Sequence, residues 1–346
     1  MSVRVGIGVF TGQIPPGSDR TFAQEYRETV ELVRLAEAVG FDSVWVSEHH
    51  GSSDGYLPSL LLTLAAFAEA TSRVRLGTAL VLTPFHDPLR LAEDAAVVDQ
   101  LSEGRLVLGL GLGWRAEEFR MFGVPFAERK QRTLETIEIL RRAWTGERFS
   151  FEGDIFRYDR VKVTPPAAQP GGPPILLGGH ADPAVRRAGQ IADGHISNAE
   201  DLDAVRHAVT LMEEGARDAG RDGAALQLAL MQNAFVTDGG TDAWSLARAG
   251  VKYQWGAYDA WDEGHDTPDH DALEPGEIDE DDARRSTPAA SADEVTRALR
   301  PAVEAFGDRD GFELIVRLHY PGMGFDPAAR AVELFGERVI PALKGS

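Results

Sequence analysis

Apolar runs alternate with amphipathic stretches along most of the chain. Eight of the runs read as strands: Arg4–Phe10, Asp42–Val46, Val74–Val81, Arg105–Gly109, Pro174–Leu177, Gly194–Ser197, Leu226–Met231 and Phe312–Leu318. Most are apolar at consecutive positions, the pattern of strands covered on both faces of a parallel sheet. Between them apolar residues recur at helical spacing, as Tyr26, Val30, Val33 and Val39 do within Phe22–Val39. Asp87-Pro88 and Asp182-Pro183 each open a further helix, because proline is pre-set for a first turn. Eight such strand–helix units predict an α/β fold closed into a (β/α)8 TIM barrel, with a doubly wound open sheet as the other arrangement.

Two segments break the alternation. Glu147–Val163 alternates aromatic and polar residues around Glu152-Gly153-Asp154, which predicts an inserted β-hairpin. Gly256–Ser286 is acidic, contains prolines and has few aliphatics, which predicts a long surface loop. Loops at the C-terminal ends of barrel strands commonly cover active sites, so this one is a candidate lid. Trp255, Tyr258 and Trp261 then either line a pocket or anchor the base of the loop. No repeat beyond the βα unit is visible, so residues 1–346 are expected to form one barrel domain with these two insertions.

Composition narrows the function. The 346 residues include no cysteine, which excludes disulfides, thiolate metal sites and a catalytic thiol, and fits a cytoplasmic enzyme. The 55 acids against 35 bases give a net charge of −20, which repels phosphate backbones and argues against nucleic acid as a partner. No uncharged apolar run approaches the roughly 18 residues of a membrane span, and no leader-like segment precedes the first strand.

Four constellations carry candidate chemistry. Glu48-His49-His50 follows the second strand, at the barrel end where active sites form, and pairs an acid with two histidines for proton transfer. Its bland alternative is a polar loop. A metal site is disfavoured, since neither His-x-His after the first strand nor His-Glu-x-x-His is present. Gly77 to Pro84 closes the third strand with small residues that either let a planar ring approach the backbone or serve ordinary strand packing. Gly109-Leu110-Gly111-Leu112-Gly113-Trp114 permits close ligand approach but lacks the Gly-x-Gly-x-x-Gly spacing, which weighs against an NAD dehydrogenase. Leu177-Gly178-Gly179-His180-Ala181-Asp182-Pro183, followed by Arg186-Arg187, suits an anion at a helix N-terminus or else is a plain βα turn. His265 and His270 sit among carboxylates and read as part of a solvated loop.

The ordered set resembles the luciferase-like monooxygenases, the superfamily of bacterial luciferase, from Arg4 to about Leu343. It is densest where Phe41-Asp42-Ser43-Val44-Trp45 leads into Glu48-His49-His50. His86-Asp87-Pro88-Leu89-Arg90-Leu91-Ala92-Glu93-Asp94 follows, then Val98 to Arg105 and Phe119-Arg120-Met121-Phe122-Gly123. The resemblance implies a barrel with inserted segments that holds reduced FMN at its C-terminal mouth. Gly178, Gly179 and His180, helped by Arg186 or Arg187, would hold the phosphate. A non-proline cis peptide would fall at Ala79–Leu80 behind the flavin ring, with Gly111 and Gly113 nearby. His49 matches the histidine implicated in chemistry at reduced flavin, with Glu48 and His50 expected to orient it. Where bacterial luciferase has Cys-Arg this chain has Gly111-Leu112, so light emission is not inferred. The expected activity is oxidation of a small organic substrate by O2 and reduced FMN from a separate reductase, in a homodimer. A deazaflavin (coenzyme F-420) hydride-transfer enzyme and a non-catalytic flavin-binding protein are the alternatives. The Glu-His-His triplet, in place of the Asp-His of the deazaflavin branch, favours FMN.

Overall fold

A computed structural model describes residues 3–240, 242–263 and 278–345. The strands are β1 (Arg4–Phe10), β2 (Ser43–Val46), β3 (Arg75–Thr78), β4 (Leu106–Gly111), β5 (Ile175–Gly178), β6 (Gly194–Ser197), β7 (Gln227–Asn233) and β8 (Phe312–Arg317). Each pairs in parallel with the next, and β8 pairs with β1 through Arg4↔Glu313 to Ile7↔Val316. The sheet is therefore a closed eight-stranded parallel barrel, the expected (β/α)8 form.

Helices α1 (Phe22–Val39), α2 (Leu60–Ala70), α3 (Pro88–Leu101), α4 (Ala116–Phe122), α5 (Arg129–Ala143), α6 (Asp182–Ile191) and α7 (Leu202–Asp218) follow the first six strands. Further along lie α8 (Ala243–Glu263), α9 (Glu280–Ser286), α10 (Ala292–Phe306), α11 (Phe325–Leu334) and α12 (Ile340–Lys344). Local chemistry sets several boundaries. Thr21 and Gln24 form a capping box at α1, and Asp87 accepts the Leu89 and Arg90 amides at α3. At α6 the cap is Ala181, and Asp182 is already helical.

The alternation of side chains along each strand divides the core in two. Outward residues such as Val5, Val44 and Leu314 pack under the helices. Inward residues Val9, Trp45, Ala79, Val107, Leu176, Ile196, Ala229 and Ile315 fill the barrel. Trp45 is fully buried, and a Cβ on Gly77 would collide with its ring. Its indole N–H lies 2.8 Å from Ser43 Oγ and 2.9 Å from Glu313 Oε1. At roughly 25 cal/mol per Å2 over about 200 Å2, burying this one side chain contributes on the order of 5 kcal/mol. Arg75 binds Glu313 at 2.6 Å and Gln227 at 3.0 Å, so polar groups fill the N-terminal end.

Three boundaries differ from expectation. The run Val74–Val81 is one strand in sequence, but β3 stops at Thr78. Val81–Leu82 then pairs separately with Leu110 and Gly111, after a cis Ala79–Leu80 peptide. A second non-proline cis peptide joins Gly8 and Val9 in β1. The expected loop Gly256–Ser286 is helical at both ends: α8 continues to Glu263, and α9 is capped by the Asp279 carboxylate. Buried Val251, Ala257, Ala260 and Trp261 give α8 an inward face that outweighs its acidic composition. Residues 264–277, with His265 and His270, lie outside the described residues. Between α5 and β5, Phe149–Glu152 pairs antiparallel with Arg157–Val161. Among the described residues, no helix is long and apolar enough to cross a membrane, and no cluster of three metal-type ligands occurs.

Candidate active site

The mouth at the C-terminal end of the strands gathers most of the singled-out residues. Along the extended segment after β2, Glu48 and His50 fall on one side and His49 on the other, as a period of two requires. His50 Nε2 donates to Glu48 Oε1 at 2.7 Å, and His86 Nε2 lies 3.0 Å from the same oxygen. The Leu82 amide donates to Glu48 Oε2 at 3.2 Å. Burial alone would raise the Glu48 carboxyl, but the two histidines outweigh it and hold it at about 2. Burial pulls His86 down, and the Glu48 bond and charge lift it above its ordinary value.

His49 has a different partner. Its Nδ1–H donates to Glu118 Oε1 on α4 at 2.9 Å. The same oxygen accepts the His50 amide at 2.9 Å and lies 3.5 Å from Arg115 Nη1. The expectation that Glu48 and His50 orient His49 therefore does not hold; Glu118 does so. In the sequence nothing separates Glu118 from Glu117 beside it, and only the docking of α4 brings it to His49.

Four aromatic rings surround His49: Tyr56 at 4.8 Å, Trp261 at 5.0 Å, Tyr258 at 5.7 Å and Trp114 at 6.0 Å between centroids. The hydroxyls of Tyr56 and Tyr258 are 2.8 Å apart, and the Arg115 guanidinium lies 4.1 Å over Trp261. Tyr258 and Trp261, three apart on α8, share a helical face and line this chamber. Trp255 stands elsewhere, in a cleft of about 660 Å3 with His180, Asn198 and Glu200.

The glycines of β4 and β5 are not open space for a ring. A Cβ on Gly178 would strike the Leu80 side chain, one on Gly111 would come within 3.0 Å of it, and one on Gly109 would strike the Thr78 carbonyl with Leu80 3.1 Å away. Leu80 thus fills the cradle and is itself the apolar floor. Gly113 serves a different contact, 3.1 Å from the Phe119 ring for an added Cβ.

After β5 the chain turns at Gly179, whose φ of +133° suits glycine, and passes His180 into α6. Arg186 does not serve this turn. Its Nη2 binds Glu214 at 2.6 Å and its Nη1 lies 3.4 Å from Asp218, both on α7. Arg187 is half-buried and forms no ion pair among the described residues.

A closed βα barrel with a carboxylate-held histidine, an apolar floor and an open glycine turn at its mouth has the layout of a barrel enzyme. The chain belongs to the luciferase-like monooxygenase family, whose profile matches residues 4–310. It is 29% identical to 4-hydroxyprotoasukamycin monooxygenase of Streptomyces nodosus subsp. asukaensis, across 99% of this chain and 93% of that one. Over 49% of this chain and 51% of the other, it is 37% identical to the F-420-dependent glucose-6-phosphate dehydrogenase of Nakamurella multipartita. The oxygenating constituent of 3,6-diketocamphane monooxygenase from Pseudomonas putida, solved in complex with FMN, shares the fold. Its TM-score is 0.80 at 24% identity, covering 99% of this chain and 98% of that one.

Proposed function

We propose that this chain is an FMN-dependent monooxygenase that oxidises a small organic substrate with O2. The observation that carries the reading is His49, bonded to Glu118 through Nδ1 inside a buried aromatic chamber. Reduced FMN, when bound, supplies the electrons that activate O2, and a separate reductase is expected to deliver it. The residues present fit that group. Leu80 offers an apolar surface to a planar ring. Gly179, His180 and the start of α6 offer open amides to the phosphate, and Arg187 adds a positive charge that no described carboxylate occupies.

This chain's part in the chemistry then follows from the chamber. Glu118 accepts the hydrogen bond from Nδ1–H, which leaves His49 Nε2 to give or accept a proton at the reacting centre. Tyr56, Trp114, Tyr258 and Trp261 keep water away from it. The relative that uses F-420 favours a second reading, deazaflavin-dependent hydride transfer on the same barrel.

Anaerobic titration with reduced FMN, reduced riboflavin and reduced F-420 tests the proposal. FMN is expected to bind most tightly, and Arg187→Ala to weaken FMN while leaving riboflavin unchanged, since only FMN carries a dianion. His49→Ala is expected to keep FMN bound while slowing its reaction with O2 by about 10². Tighter binding of F-420 than of FMN would move the assignment to hydride transfer.

A further inference from the structure

Arg317 is the last residue of β8, and alternation places its side chain inside the barrel with Ile315 and Glu313. It is only 9% exposed. Its Nη1 is buried with no hydrogen-bond partner, and no carboxylate among the described residues pairs with it. A buried guanidinium nitrogen without an acceptor is costly, so an arginine at this place implies a ligand that supplies one. The neighbouring quadrant holds the complementary gap, an acceptor that lacks a donor. On the connection after β1, Gln13 donates to Asp54 Oδ2 at 2.6 Å, while its own Oε1 is buried without a donor.

Its position separates this cation from the phosphate turn. In the closed strand order β8 stands across the barrel from β4, so Arg317 faces the Leu80 floor from the opposite wall. His49 lies between them, after β2. Gly179 follows β5, three strands away from β8. Tyr56 and Tyr258, whose rings pack on His49, belong to the same chamber. Burial pushes both phenols up, and the charge of Arg317 partly offsets that push.

We propose that Arg317 is the anion-recognising residue of the substrate pocket, and that the substrate carries an ionised oxygen, a carboxylate or an acidic enol or phenol. The identity of the opposite wall as the cofactor side rests on the function proposed above; the anion site itself does not. Such an oxygen accepts the orphaned Nη1–H and orients the substrate's remaining atoms towards His49.

Calorimetric titration with benzoate and with benzyl alcohol, its neutral analogue, tests this on the whole chain with and without saturating FMN. The expected result is at least tenfold tighter binding of benzoate than of benzyl alcohol, retained when FMN is bound. Arg317→Gln should abolish the preference, Arg317→Lys should keep part of it, and FMN affinity should change less than twofold in either variant. Equal affinity of the wild type for the two probes would overturn the proposal, whatever the variants do. A preference that survives Arg317→Gln, or benzoate displaced by FMN, would overturn it as well. A chain that binds no FMN yet keeps the preference counts against the cofactor reading and for this one.

Discussion

Glu118 offers the sharpest perturbation of the site, because one oxygen serves three partners. Its side chain is fully buried, and Oε1 holds His49 Nδ1, the His50 amide and Arg115 Nη1. Alanine removes the acceptor of all three donors and strips the counter-charge from a fully buried guanidinium. Breaking a buried pair in this way costs about 3–5 kcal/mol. At about 2 °C per kcal/mol for a chain of this size, the melting temperature should fall by about 6–10 °C. Glutamine keeps the shape and a neutral acceptor for Nδ1–H. It loses only the excess of a charged hydrogen bond over an ordinary one, about 1–2 kcal/mol. The same ranking should appear in the chemistry. Rapid mixing of O2 with protein loaded with reduced FMN should show about a tenfold slowing for Glu118→Gln and about a hundredfold slowing for Glu118→Ala. An alanine variant within 1 kcal/mol of wild type, or a glutamine variant worse than alanine, would refute the assignment of Glu118 as the group that orients His49.

Four further outcomes follow from the same geometry. Glu48 is held at about 2 against an ordinary 4.5, so its contribution is complete above pH 4.5 and is lost as pH falls towards 2. It amounts to at most about 3 kcal/mol; Glu48→Gln should flatten the acid limb of the stability curve there, and parallel curves for the two proteins would contradict the structure. His86 has the opposite sign: its folded value is raised, so its contribution is present below its ordinary 6.5 and is lost as pH rises through the folded value. At the floor, Gly109→Ala drives a methyl against the Thr78 carbonyl, a backbone atom, and should destabilise by about 3 kcal/mol or more, read by denaturant unfolding. Gly178→Ala meets a side chain, Leu80, and not backbone, so it should cost less stability while weakening FMN by about tenfold, and equal affinities would show that Leu80 does not form the floor.

The barrel is legible in the sequence because its determinants are local. Apolar runs bounded by turn residues mark β1 and β6 at their observed limits, and the helical spacing of Phe22–Val39 marks α1 to the residue. Burial of each strand between the barrel interior and a helix leaves that signature in consecutive positions. Glu48, His49 and His50 are legible as a polar cluster at the end of a strand for the same reason. Their partners are not. His49 meets Glu118 across 69 residues, and Tyr56 meets Tyr258 across 202. No periodicity reaches that far, and such pairs exist only once the barrel closes. Arg186 and Arg187 are indistinguishable as neighbours on α6, and the acidic face of α7 decides which one is engaged. Gly111 and Gly178 announce missing side chains, but only close packing shows that Leu80 takes the space they leave. The sequence by itself therefore determines the scaffold and the types of group at its mouth, because propensity and burial act over a few residues. The tertiary structure alone decides which group faces which, because that depends on where the strands end and how the helices dock.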